Sequence, residues 1–181
     1  MRVSTGQIKQ LLELDGSREN VGNAMQVFLR DLQQRGEKNS DPKKNLYKGK
    51  KHLIDLDAAP FTPKGWEVEE HQNGGQFEWD VTKVNLYQQN GKVIQGYKLR
   101  EELQTKNPFN ANLLDFLLAH PNLIPKGWKG NYVYFWGTIY RGRGDNLCVR
   151  SLFWGGGQWR WNWLYLEGVW DGVSPAAVPA S

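Results

Sequence analysis

The chain has only one cysteine, Cys148, among its 181 residues. That single thiol excludes an intrachain disulfide and a cysteine-based metal site. No apolar run approaches the roughly 18 residues of a membrane-spanning helix. The N-terminus also lacks the apolar segment of a secretory signal peptide. We therefore expect no membrane span, and a protein that is cytoplasmic or is exported without a recognisable N-terminal signal.

Sequence signatures of catalysis are also missing. Gly155–Gly157 lacks the spacing of a phosphate-binding loop, and no zinc, EF-hand, nucleophile-elbow or kinase signature occurs. An unrecognised enzyme would need a fold that gathers the remaining candidates, Asp55, Asp57, Glu69, Glu70 and His71. Adjacent strand residues point to opposite faces, so solvated or turn-side positions are favoured for them. We expect no enzymatic activity, no cofactor and no metal.

The net positive charge of the chain comes from its first third. Residues 1–52 carry eleven Lys/Arg and six Asp/Glu, whereas residues 53–181 carry twelve and thirteen. Five lysines cluster within residues 43–51: Lys43, Lys44, Lys48, Lys50 and Lys51. The favoured interpretation is a solvated tether. The alternative is a nucleic-acid-binding protein that uses this lysine run and the basic helices predicted before it.

Three regions follow from the residue pattern. Residues 1–36 have a capping box that begins at Ser4 and a break at Asp15–Ser17, and they predict two short amphipathic helices. Such a pair buries little by itself, so we expect it to dock or to serve oligomerisation. Residues 37–51 predict a basic polar linker. Residues 52–181 predict an α+β main domain.

Within the main domain, hairpin signals predict an antiparallel, β-rich fold. Two hairpins are expected around Asn73–Gly75 and Asn90–Gly91, and two helices over residues 97–104 and from Asn110 or Asn112 to about His120. A closing β meander is expected over residues 132–141, 147–154 and 158–166. The tail from Val173 onward has weak structural preference and is expected to be loose unless it is pinned.

The meander carries the most distinctive pattern, since residues 147–170 hold five of the nine tryptophans. Large rings alternate at Trp159, Trp161, Trp163 and Tyr165, which places them on one face of a strand. Core and contact surface are equally good interpretations of this row. Arg160 and Asn162 lie on the opposite face, and this mixture of polar groups beside rigid rings is typical of recognition surfaces.

A resemblance emerges from three segments, LLDFLLAHPNLIPKGWKG, YVYFWGTIYR and VRSLFWGGGQWRWNWLYL, together with Trp170 and the terminal PAAVPAS. They resemble a set of proteins from small-genome, candidate-phyla bacteria whose C-terminal segments look like the variable targets of diversity-generating retroelements. In such systems a reverse transcriptase rewrites the end of a target gene with errors at template adenines. The resemblance implies a stable scaffold, often C-type-lectin-like, that displays changed residues to varied ligands.

By this resemblance, the fixed frame would consist of Leu152, Trp154, Trp159, Trp161, Leu166, Trp170, Pro175, Ala176 and Ala177. The ligand-binding, variable positions would be Gly155, Gly157, Arg160, Asn162, Trp163, Leu164, Gly168, Asp171, Val173 and Ser174. Tyr165 departs from the pattern, which has tryptophan there. The sequence therefore predicts a non-enzymatic ligand-binding protein whose partner is a protein or a saccharide.

Overall fold

A computed structural model describes residues 51–88 and 93–180, which belong to one unit, Lys50–Ser181. The predicted helical pair over residues 1–36 and residues 37–50 of the predicted linker lie outside the described residues. So do Lys43, Lys44, Lys48 and Lys50. Lys51 is described, and its Nζ lies 3.2 Å from an oxygen of the Glu78 carboxylate.

The described residues form an α+β fold dominated by short strands. The strands are β1 (Leu53–Asp55), β2 (Glu67–His71), β3 (Gln76–Glu78), β4 (Val84–Tyr87), β5 (Ile94–Gln95), β6 (Val133–Tyr134), β7 (Thr138–Arg141), β8 (Leu147–Gly155), β9 (Gln158–Tyr165), β10 (Val169–Trp170) and β11 (Ala176–Pro179). The helices are α1 (Gly96–Gln104) and α2 (Ala111–Ala119). Short 3-10 turns cover Val81–Lys83, Pro121–Leu123 and Lys126–Trp128.

The main sheet is built around β8. Its strand order is β2-β7-β8-β6-β11-β4. β9 pairs with β8 along its whole length, while β7 and β6 share the other edge of β8. All pairs in this sheet are antiparallel except β6–β11, which is parallel. The strands β7, β8 and β9 form the meander that the sequence predicts.

The two helices lie on opposite faces of this sheet. Leu113 and Leu117 of α2 share a buried cluster with Leu152 of β8, on what we call the α2 face. Leu99 and Leu103 of α1 share another with β8 residue Val149, on the α1 face. Burying one such aliphatic side chain is worth about 1.5–3 kcal/mol. Helix–sheet–helix layering therefore fixes both faces of β8.

Both helices match their sequence prediction, and the choice of cap for α2 is resolved. The side chain of Asn110 accepts a hydrogen bond from the Asn112 backbone N–H at 3.1 Å, so Asn110 is the N-cap. The helix ends at His120, directly before Pro121. Within the described residues, no helix is long and apolar enough to cross a membrane.

The expected early hairpins are wrong. β2 pairs with β7 and β3 with β1, rather than with each other. Similarly, β4 pairs with β11, and β5 with β10. The Asp57 carboxylate explains the first case, since it accepts the N–H groups of Gly74 and Gly75 at 2.9 Å each. Asp57 thus holds the glycine turn against the end of β1. The turn connects β2 to β3 along the chain, but the two strands do not pair as a hairpin.

Two further expectations need correction. The strand predicted over residues 132–141 is interrupted at Gly137, where an added Cβ would lie 2.5 Å from the Pro108 carbonyl oxygen. This close approach of two backbones separates β6 from β7. The tail is not loose, because β11 lies between β6 and β4 with Ala176, Ala177 and Val178 buried.

Candidate recognition surface

The β8–β9 hairpin turns through Gly156 and Gly157, with φ values of +59° and +80°. Two successive positive φ values are typical of the type I′ turn that matches the twist of paired strands. Gly155 pairs with Gln158 directly before the turn, and a Cβ on Gly155 would lie 2.7 Å from the Phe153 ring. A side chain is therefore disfavoured at two of the predicted variable positions, at Gly157 by the backbone conformation and at Gly155 by packing against Phe153.

The alternating rings of β9 point to the α2 face and pack there. Trp159 is 5% exposed and belongs to the α2-face core, against which Trp161 also packs. Trp163 and Tyr165 are half-buried against the neighbouring cluster of Tyr140 and Cys148. Core therefore describes Trp159, and the other three rings are half-buried where they pack against core clusters.

A buried cation lies beneath the rings. The guanidinium of Arg150 is 4.8 Å from the centre of the Trp161 ring and 5.1 Å from that of Phe61. Its Nη2 and Nη1 donate to the two Asp115 oxygens at 2.7 and 3.0 Å. Burial lowers the pKa of Arg150, but its interactions with Asp115 and Tyr140 together outweigh burial, so the net pKa lies above its ordinary value. The ring face is thus locked to α2 by a bidentate ion pair.

The α1 face of the same hairpin is built differently near the turn. Arg160 lies opposite Phe153, and Asn162 opposite Ser151. The Tyr132 ring stacks on the Phe153 ring, with centroids 5.2 Å apart and planes at 20°. Arg160, Phe153 and Tyr132 therefore form a row across three neighbouring chain segments.

The turn over residues 171–174 continues this row. The Tyr132 N–H donates to the Val173 carbonyl at 2.9 Å. Within the turn, Asp171 Oδ1 accepts the Val173 N–H and the Ser174 hydroxyl at 3.1 Å each. Asp171 is exposed and also shapes its own turn, so it has a local structural role.

We define the hairpin-end surface as the α1-face patch of Tyr132, Phe153, Arg160, Asn162, Asp171, Val173 and Ser174. Tyr132 is 38% exposed and Val173 50% exposed. Phe153, Arg160, Asn162 and Ser174 are half-buried. The side chains of α1 that enter the α1-face core, Leu99 and Leu103, pack with Val149 and Trp170 rather than with these residues. The patch combines rings, a cation, an amide and a carboxylate.

Other predicted variable positions lie elsewhere. Trp163 is on the α2 face, 5.3 Å from Trp66 between ring centroids. Leu164 is on the α1 face, where it packs against the core. A Cβ on Gly168 would lie 2.9 Å from the Tyr165 carbonyl oxygen. Strand register and the Tyr132–Val173 backbone hydrogen bond thus place Arg160 and Asn162 on one side of the Phe153–Tyr132 pair and the 171–174 turn on the other, apart from Trp163, Leu164 and Gly168.

Sequence reasoning missed Tyr132 and Phe153 as parts of this patch. A usable signal existed for Tyr132, because Tyr132, Tyr134 and Trp136 alternate in the printed sequence. Phe153 could have been found by extending the β8–β9 hairpin register from its glycine turn, which places it opposite Arg160.

The acidic and imidazole groups considered for catalysis are engaged separately. Asp57 holds the Gly74–Gly75 turn, Glu69 pairs with Arg141, and Glu70 pairs with Arg100. Asp55 accepts the Asp57 N–H at 3.0 Å. Among the described residues, no group of three or more His, Cys, Asp or Glu side chains could hold a metal ion.

His71 ties three segments together. Its Nδ1 lies 2.9 Å from the Thr138 hydroxyl, and its Nε2 lies 3.1 Å from the Leu56 carbonyl oxygen. Because a carbonyl only accepts, Nε2 carries the proton and Nδ1 accepts from Thr138. Asn110 donates to the same Leu56 carbonyl at 2.7 Å. This arrangement fixes the start of α2 against β2 and does not form a shared site with the carboxylates.

Comparison of the chain with protein-family models, with curated proteins and with solved structures found no match.

Proposed function

We propose that the protein is a non-enzymatic ligand-binding protein that presents a variable recognition surface, as targets of diversity-generating retroelements do. The observation that supports this proposal is the difference between the two faces of β9. Trp159 and Trp161 pack into the α2-face core, while Arg160 and Asn162, the residues that follow them, lie at the partly exposed hairpin end. Side chains on the second face can change while the first maintains the fold.

The proposed scaffold is C-type-lectin-like, with the N-terminal helices serving oligomerisation or docking. The anchoring of the display region supports this reading. β11 follows the 171–174 turn and is fixed between β6 and β4, so both sides of the hairpin-end surface are tied to the main sheet. A fold supports many functions, so the surface and not the scaffold would determine the ligand.

The proposed partner is a protein or a surface saccharide. Tyr132 and Phe153 supply rigid aromatic area, and Arg160, Asn162 and Asp171 supply charge and hydrogen-bonding groups. Aromatic residues and arginine dominate binding energy at protein interfaces. We propose the stacked pair as the constant centre and the polar positions around it as the variable part.

Two matched libraries test this function. One randomises Arg160, Asn162, Val173 and Ser174; the control randomises Leu152, Trp159, Trp161 and Trp170. We expect most members of the first library to fold, measured by protease resistance of displayed protein, and to yield binders to several unrelated proteins or glycans. Most members of the control should unfold. Equal folded fractions, or a folded first library that yields no binders, would contradict the proposal.

The neighbouring DNA gives an independent test of the diversification itself. We expect a near-repeat of the segment that encodes residues 152–177, differing at adenines, beside a reverse-transcriptase gene. A genomic locus without either feature would remove the retroelement role and leave a fixed binding surface.

A further inference from the structure

The turn between β2 and β3 contains an asparagine followed by a glycine, Asn73–Gly74. Both residues are exposed. In such a pair the backbone nitrogen of the glycine can attack the asparagine side-chain amide, because glycine has no side chain to obstruct the approach. Asparagine is one of the thermolabile residues for this reason. The turn therefore contains the reacting groups for deamidation at Asn73.

Packing favours glycine after Asn73. A Cβ on Gly74 would lie 2.7 Å from Leu56 Cδ1 and 3.1 Å from Leu56 Cβ. Leu56 is 4% exposed and belongs to the α2-face core, so close packing leaves it little room to move aside. A bulkier residue at position 74 would hinder the attack, but this turn disfavours it.

The attacking nitrogen is held by a carboxylate. The N–H groups of Gly74 and Gly75 both donate to Asp57 Oδ1 at 2.9 Å, and the Gly75 carbonyl accepts the Leu56 N–H at 2.9 Å. The Gly74 nitrogen must lose its proton before it can attack. That loss removes a hydrogen bond to a charged acceptor and places a second negative charge beside Asp57, and both effects oppose it. The closed turn should therefore slow a reaction that the sequence permits.

We propose that Asn73 is a deamidation site and that Asp57 sets its rate by engaging the Gly74 amide. In the reaction, the Gly74 nitrogen forms a bond to Asn73 Cγ, the bond between Cγ and Nδ2 breaks, and ammonia leaves. Water then opens the cyclic imide at either carbonyl, which gives aspartate or isoaspartate. Either product brings a new carboxylate to the residue before Gly74, so deamidation should weaken the attachment of the turn to Asp57.

Peptide mapping of the full chain measures the reaction. Trypsin places Asn73 in the peptide of residues 65–83, and the other Asn–Gly pair of the sequence, Asn90–Gly91, in the peptide of residues 84–92. The folded chain and the chain denatured in guanidinium chloride are incubated at the same mildly alkaline pH. We expect Asn73 to deamidate at least about tenfold more slowly in the folded chain. Equal rates in the two states would overturn the proposal.

Two carboxylate-to-amide variants make the test specific. Asp57→Asn removes the charged acceptor of the Gly74 N–H, whereas Glu78→Gln removes a carboxylate of the same β1–β3 ribbon that pairs with Lys51 instead. In the folded chain, Asp57→Asn should accelerate deamidation of Asn73 at least about threefold, and Glu78→Gln should change it by less than about twofold. An unchanged rate in Asp57→Asn, or equal acceleration in both variants, would refute control by Asp57.

Hydrogen exchange of the Gly74 amide gives an independent readout, because exchange also requires loss of that amide proton. Asp57→Asn should accelerate exchange at Gly74 by about the same factor as deamidation at Asn73. The amides of β8 should keep the protection of the parent, which verifies that the variant is folded. Faster deamidation without faster exchange at Gly74 would mean that another contact protects Asn73, and the assignment to Asp57 would fail.

Discussion

The two faces of β9 differ in what holds their side chains. On the α2 face, Trp161 packs over the buried Arg150, whose charge is balanced by Asp115 of α2. On the α1 face near the turn, Arg160 and Asn162 neighbour a stacked ring pair and are half-buried. Substitution on the first face disturbs a core and an ion pair together. Substitution on the second changes only a partly exposed patch.

This difference shows how one strand can present a row of rings that pack against the core on one face and a partly exposed patch on the other. A period of two sends neighbouring residues to opposite environments. Substitutions on each face test whether the two faces differ in their contribution to the free energy of unfolding.

The largest expected effect comes from breaking the ion pair on the α2 face. Asp115→Ala leaves the Arg150 charge buried without its partner and should lower the free energy of unfolding by about 3–5 kcal/mol. Urea denaturation measures the change. The double variant Asp115→Leu/Arg150→Met removes both charges and should recover part of that loss. A single variant as stable as the parent would mean that the α2 face is not locked by this pair.

A smaller effect is expected at the hairpin turn. Gly157 has a φ of +80° and no atom within 4 Å of an added Cβ, so only backbone strain opposes a side chain there. Gly157→Ala should cost about 1–2 kcal/mol. Gly172 provides a matched control, since its Cβ position is also open and its φ is not positive. Similar melting temperatures of Gly157→Ala and Gly172→Ala would argue against the type I′ turn.

Alkaline pH tests the burial of the α1-face core next to the hairpin-end surface. Burial raises the pKa of Tyr134 from 10.0 to about 12. Between these values the unfolded chain releases the phenol proton while the folded protein keeps it. Stability should therefore fall as pH rises from 10 to 12. Tyr134→Phe should make the free energy of unfolding less dependent on pH in that window.

Cys148 requires a control in the same experiment. Burial raises the pKa of its thiol from 9.0 to about 12. Ionisation of this thiol therefore also lowers the stability of the folded protein as the pH rises. The comparison is cleanest in a Cys148→Ala background. An unchanged pH dependence after Tyr134→Phe in that background would show that Tyr134 is not protected in the folded state.

The smallest effect is expected on the α1 face near the turn. Asn162→Ser and Val173→Ser should each change the free energy of unfolding by no more than about 0.5 kcal/mol. Trp161→Ala, on the opposite face, should cost several times more, because it uncovers the core and Arg150. Thermal unfolding of the three variants measures the contrast. Comparable losses would remove the distinction between the two faces.

Local patterns predicted the parts of the fold that local forces create. The Asn110 cap and the aliphatic spacing after it predicted α2, and the glycines between alternating residues predicted the β8–β9 hairpin. Pairing between distant strands was not predictable in this way. The signal around Gly74 indicates a bend, but it does not identify β7 as the partner of β2.

The candidate site was predictable in part. Arg160, Asn162, Val173 and Ser174 were predicted as variable positions; Val173 is 50% exposed, and the other three are half-buried at the hairpin end. The ring row could not be assigned to core or surface, because alternation is the same in both cases. The role of Arg150 could not be predicted. An arginine within a strand gives no sign in the sequence that a helix carboxylate and two rings surround it.

The position of β11 has a consequence for synthesis. A ribosome must complete Ala176–Pro179 before the gap between β6 and β4 can be filled, although β4 emerges about ninety residues earlier. Until then the sheet of the nascent chain is incomplete. A stop codon shortly before residue 176 should therefore yield a product that aggregates instead of a shortened folded protein. An insertion or deletion upstream of β11 must therefore preserve the reading frame through the codons for Ala176–Pro179.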